Sequence, residues 1–149
     1  MKNIKTYLII LLSIVAFSSC STDKTMIAKG VNLNKYQYAS ITEGKNSFGT
    51  ATDIEIEPGI YDAIESTRLQ MVGKQRVTDL SKKEKESLVL VKYSATSNPD
   101  ESVITVSFED YMSGKIVASC RSSNRGSWTR QKDVDKAIRK LRSRIQEIW

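Results

Sequence analysis

Histidine is absent from the 149 residues, and only two cysteines and two prolines occur. Without histidine there is no Ser-His-Asp or Cys-His nucleophile, no imidazole general base and no His-ligated metal. Two cysteines cannot complete a Cys₄ zinc site or hold an iron–sulfur cluster. Aromatic residues are sparse at 7%, and no run of apolar residues reaches the roughly 20 that a membrane-spanning helix needs. No metal-spaced acid cluster and no phosphate-cradling glycine loop is present, so neither a metal nor a cofactor is expected. What remains is a folding composition, 40% hydrophobic and 27% charged, at a length suited to one domain.

The first twenty residues stand apart. Lys2 and Lys5 precede Tyr7–Phe17, an almost unbroken apolar run of 11 residues. That is the length of a signal-peptide core, typically about 7–15 residues. The run closes on Ser18, Ser19 and Cys20. A small-small-Cys ending resembles the bacterial lipobox, with Phe17 standing where an aliphatic residue is usual. The resemblance implies cleavage before Cys20, acylation of its thiol and new amine, and a stable bilayer anchor through two or more acyl chains. Residues 1–19 are then a lipoprotein signal peptide, 20–34 an acylated N-terminus and flexible tether, and 35–149 a single domain. Ser21 is not the aspartate that resembles an inner-membrane retention signal, so the outer membrane is expected, in its periplasmic or surface leaflet. Without Lys2 and Lys5, 21 basic residues face 17 acidic ones, a net +4. That surplus does not call for nucleic acid. With Cys20 acylated, Cys120 has no partner for a disulfide, and in VASCRS it reads as a small buried hydrophobe.

Periodicity supplies the rest. Strands are expected at Tyr36–Thr42, Leu88–Thr96, Ser102–Glu109 and Ile116–Ser122, with a short edge strand at Lys74–Leu80. The last two full strands form a hairpin with Ile104, Val106, Phe108, Ile116, Ala118 and Cys120 on its buried side. Its other side carries Thr105, Ser107, Glu109, Ser119 and Arg121, continued by Lys92 and Ser94. Residues 43–53 read as a loop, 54–57 as a short extended piece, and 81–87 as a charged connector. One helix is expected from Pro58 to a cap at Gly73. A second is expected from Asp133, with Val134, Ala137, Ile138, Leu141, Ile145 and Ile148 as its apolar stripe. The fold class is a two-layer α/β sandwich (α+β): a mainly antiparallel sheet of four to five strands with two helices on one face.

Several segments are similar to a group of small bacterial lipoprotein domains that includes penicillin-binding-protein activator and curli-secretion lipoproteins. They are Tyr36–Ile41, Met71–Gly73, the strand pair Val103–Ser119 and Ala137–Leu141. The turn Asp110, Ser113, Gly114, Lys115 is similar to that group's Asp-x-x-Ser/Thr-Gly-Lys. The resemblance implies a compact envelope lipoprotein, and it carries over no catalytic residue. The expected function is a non-enzymatic binding or accessory module, anchored to the bilayer through Cys20 and contacting an envelope protein or polymer. Candidate partner- or anion-binding residues are Arg125, Arg130, Arg139, Lys140 and Arg142. The alternative is an envelope hydrolase or transferase using Asp/Glu chemistry. Its dense acids, Glu55, Glu57, Asp62 and Glu65, surround a helix start, where the helix dipole already favours them.

Overall fold

The computed structural model describes residues 23–46, 50–97 and 100–149. The expected signal peptide and Cys20 lie outside them. A six-stranded sheet in the order β1-β6-β5-β4-β2-β3 forms one layer. Its strands are β1 Lys24–Ile27, β2 Tyr38–Asn46, β3 Gln70–Met71, β4 Leu88–Ser97, β5 Glu101–Asp110 and β6 Ile116–Arg125. The described helices are α1 Thr50–Glu65, the short α2 Lys82–Glu86 and α3 Arg130–Ile148.

The α/β class holds, but the sheet is larger than expected and mixed rather than mainly antiparallel. β2 pairs in parallel with both β4 and β3, while β1, β6, β5 and β4 pair antiparallel. The parallel joins arise because α1 carries the chain from β2 back to the starting end of the sheet, as a helical crossover does. A second correction concerns residues 24–34, expected as tether. Lys24–Ile27 lie antiparallel to β6, with Lys24 opposite Arg121 and Ile27 opposite Ala118, and Leu33–Lys35 form a 3-10 turn capped by Asn32. Four residues, two polar and two apolar, carry too little period to reveal a strand. Their ladder bonds come from a partner distant in sequence.

The hairpin obeys its alternation. Ile104, Val106, Phe108, Ala118 and Cys120 are buried under the helices. Lys92, Ser107 and Ser119 are in register on the other face, as are Ser94, Thr105 and Arg121. Ile116 departs from the expected pattern. A bulge lets Phe108 face Ala118 and Glu109 face Ile116, so Val117 is the extra residue. The shift turns Ile116 outward, 53% exposed, and Val117 is buried instead.

Both long helices depart from the expected limits. α1 starts at Thr50 and contains Pro58, so residues 54–57 are helical and Ile56 joins Ile60, Ala63 and Ile64 in the core. It ends at Glu65, before Gly73. The Ser66 and Thr67 hydroxyls donate to the carbonyls of Ala63 and Ile64 at 2.7 and 2.6 Å, occupying the last turn's acceptors. α3 starts three residues before Asp133, with Thr129 as its cap. Its buried face is Val134, Ala137, Leu141 and Ile145. The two helices touch closely: a Cβ on Gly59 would come within 2.9 Å of Ile138 Cγ2. Residues 74–80 form a 3-10 turn and bends rather than an edge strand, and the expected connector holds α2. Ser81 accepts the Glu84 N–H, and Glu84 accepts the Ser81 N–H in return.

Candidate functional site

The two ends of the sheet differ in chemistry. At one end β5 runs into the hairpin turn. Asp110, 6% exposed, accepts from Lys35 Nζ and Tyr36 Oη on one oxygen and from the Ser113 N–H on the other, each at 2.8 Å. Burial alone would raise its pKa. The bonds from Lys35, Tyr36 and Ser113 outweigh burial and hold the carboxyl well below the usual range. Lys35 is pushed up by its bond to Asp110 against the opposing effect of burial, and Tyr36 is pushed up by burial and then by Asp110. Trp149 packs against Phe108 and Tyr36, with ring centroids 5.1 and 6.0 Å away. Arg68 donates to the carbonyls of Tyr36 and Leu33 at 2.6 and 2.7 Å. The Asp-x-x-Ser-Gly-Lys turn of the sequence is therefore a structural tie between β5 and the segment leading into β2.

At the opposite end β6 passes into α3. Gly126 takes a φ of +80°, and Asp133, 6% exposed, accepts from Asn124 Nδ2 at 2.6 Å and from the Ser127 N–H at 3.1 Å. Burial would raise the Asp133 pKa, but the Ser127 and Asn124 bonds outweigh it and lower it. Thr129 accepts the Lys132 N–H. Between these ties Trp128 stands 97% exposed. Asp23, just before β1, accepts the Ser123 N–H at 2.8 Å, so the chain enters the fold beside this turn.

The structure does not gather the five candidate cations into one patch. Arg125 and Arg130 flank Trp128, and Arg125 lies 3.6 Å from Glu101 across the β5–β6 ladder. Arg139 and Arg142 line an open groove of about 460 Å³ between α1 and α3, where Arg142 lies 3.7 Å from Asp62. Lys140 donates to the Ser123 carbonyl at 2.8 Å and lies 3.8 Å from Asp23, which makes it a brace for β1. Of the helix acids, Glu57 accepts from Tyr93 Oη at 3.0 Å. Cys120 is fully buried, and desolvation pushes its thiol up to about 11. Among the described residues no acidic or cysteine cluster could hold a metal ion, and no helix is long and apolar enough to cross a membrane. Trp128 is not among the candidate residues that the sequence offers. Its signal was a tryptophan among Arg125, Arg130 and Lys132 with no acid before Asp133.

The sequence matches no protein-family model and no curated protein. It is similar in fold to solved structures. PelC from Paraburkholderia phytofirmans, solved as a dodecamer, matches with a TM-score of 0.57 at 12% identity, over 85% of this chain and 97% of that one. A DUF4136 family protein from Bacteroides thetaiotaomicron matches at 0.49 and 12% identity, over 87% and 96%. The LpoB C-terminal domain from Salmonella enterica matches at 0.43 and 12% identity, over 66% and 88%. The PelC likeness shows a shared fold, and at this identity it shows nothing about chemistry.

Proposed function

We propose that this chain is a lipid-anchored, non-enzymatic binding or accessory module of the bacterial envelope, held at the outer membrane through acylated Cys20. The observation that carries the reading is the apolar run Tyr7–Phe17 closing on Ser18, Ser19 and Cys20. The geometry of the domain supports the non-enzymatic part. A carboxylate hydrolase needs two acids converging in one cleft. The buried carboxylates Asp110 and Asp133 sit at opposite ends of the sheet, each occupied by neighbouring donors. The Cys120 thiol is buried and held neutral. A fold that in PelC serves a dodecamer suits a part that works through contacts with an envelope protein or polymer. The test is to grow cells on a clickable fatty acid. Wild-type chain should carry the label, and Cys20→Ala should lose it and accumulate as precursor. Undiminished labelling of Cys20→Ala refutes the anchor.

A further inference from the structure

The geometry points to a lipid bilayer surface as the partner of the Trp128 end of the domain. Trp128 would sit at the membrane–water interface, and Arg125, Arg130 and Lys132 would face anionic headgroups. The inference rests on the acylated Cys20 reading and adds to it which face of the domain the anchor presses against the membrane.

Three independent features place it there. The first is the side chain itself. Trp128 is 97% exposed, whereas Trp149 is packed on Phe108 and Tyr36. An indole has an apolar body and one polar N–H, which suits the boundary between headgroups and acyl chains better than water or hydrocarbon. Trp128 is held outward by a built turn. Gly126 is at φ +80°, Asp133 accepts from Asn124 and Ser127, Thr129 caps α3, and Lys136 donates to Ser127 Oγ at 3.1 Å. Ordering cost is therefore largely met before any surface is reached.

The second feature is charge. Residues 125–132 carry Arg125, Arg130 and Lys132 and no acid. Arg130 and Lys132 occupy the first turn of α3, where the helix dipole disfavours cations. Of the nearby acids, Asp133 is buried against Asn124 and Ser127, and Glu101 lies 3.6 Å from Arg125. Asp100 is exposed on the neighbouring turn. The cations therefore bias the end toward an anionic surface without dominating it, and the indole supplies the rest.

The third feature is where the chain enters. Asp23 is fixed beside the turn by the Ser123 N–H and by Lys140. Cys20 lies three residues earlier, and three residues reach at most about 11 Å even fully extended. An acyl group on Cys20 therefore cannot lie far from this end of the sheet, and the local concentration it imposes lets a weak contact persist.

The test uses full-length processed chain purified in detergent and reconstituted into phosphatidylcholine vesicles with roughly a quarter phosphatidylglycerol. Trp149→Phe leaves Trp128 as the sole indole. Should that variant fold poorly, the difference between wild type and Trp128→Phe gives the same signal. On reconstitution, acrylamide quenching of Trp128 should fall several-fold, and lipids brominated near the headgroup should quench it. Arg125→Gln, Arg130→Gln and Lys132→Gln together should restore part of the acrylamide access. Full acrylamide access with Cys20 still acylated overturns the inference and leaves the anchor standing. Protection from acrylamide without quenching by brominated lipid also overturns it, because a protein then covers the indole. If Cys20 proves unacylated, the anchor reading fails on its own. Co-flotation of the chain with the same vesicles, lost in Trp128→Ser, would then sustain the surface, and no flotation would end it.

Discussion

Trp149 and Trp128 lie at opposite ends of α3 and of the sheet, one packed on Phe108 and Tyr36, the other 97% exposed. Each end also buries one aspartate. Asp110 meets an ammonium, a phenol and a backbone N–H, while Asp133 meets an amide and a backbone N–H. The first arrangement ties strands together around an aromatic stack. The second only shapes a turn so that a tryptophan faces outward. Similar residue types thus close the fold at one end and present a surface at the other, and the difference lies in what the aromatic ring is given to touch.

The sharpest way to break this comparison is to truncate one ring at each end and follow thermal or denaturant unfolding. Phe108→Ala removes a fully buried ring beneath Trp149 and should cost about 3–5 kcal/mol. Trp128→Ala should stay within about 0.5 kcal/mol of wild type. Equal losses would mean that the exposed end is structural.

The two aspartates come next. Asp110→Ala strands the buried Tyr36 phenol, at about 1–3 kcal/mol, and also removes the acceptor of the exposed Ser113 N–H. Asp133→Ala should cost less, since its donors Asn124 and Ser127 are both only half-buried, whereas the Tyr36 phenol is fully buried. Both carboxyls are depressed, so both stabilise the fold above their ordinary value near 3.8 and lose that contribution as pH falls through the lower folded value. An acid titration of stability should therefore slope downward below about pH 4. Asp110→Asn should flatten more of that slope than Asp133→Asn, and the reverse order would assign the stronger tie to the wrong end.

Smaller effects sharpen the picture. In Cys20→Ala protein, a thiol reagent should reach Cys120 only slowly until denaturant is added, as a buried thiol held near 11 requires. Rapid native labelling would mean that β6 opens along its length. Smallest of all should be Arg142→Ala, which removes a half-exposed cation 3.7 Å from Asp62 and should change stability by less than about 1 kcal/mol.

The hairpin was readable because Ile104, Val106 and Phe108 alternate cleanly with polar residues, and a period of two leaves one choice of face. The same rule misplaced Ile116, since a bulge adds a residue that no alternation signals. α1 was misread at both ends for local reasons. Pro58 suits a helix start, yet the helix begins at Thr50 and runs through it, and the Ser66 and Thr67 hydroxyls occupy the last-turn carbonyls well before Gly73. The Ser81-x-x-Glu84 spacing is that of a capping box, a helix-start signal set within a run of charge. β1 could not be read, because KTMI is ordered by β6 and not by itself. At the site, the cations were visible as a list, but their separation into a turn, a groove and a brace depends on tertiary register. Trp128 needed the opposite information, which was that nothing covers it.

The pairing of β1 with β6 sets a schedule for the chain. Lys24 lies opposite Arg121, and all four other strands intervene in sequence between these two partners. A chain made from its N-terminus exposes residues 24–27 early, yet their ladder partners arrive almost last. The central strands can zip in sequence order before then, but this edge must wait for nearly the whole domain, at the entropic cost of a very long loop. The earliest stretch of the domain to emerge is thus among the last to be locked, and its closure marks the moment at which the domain is complete.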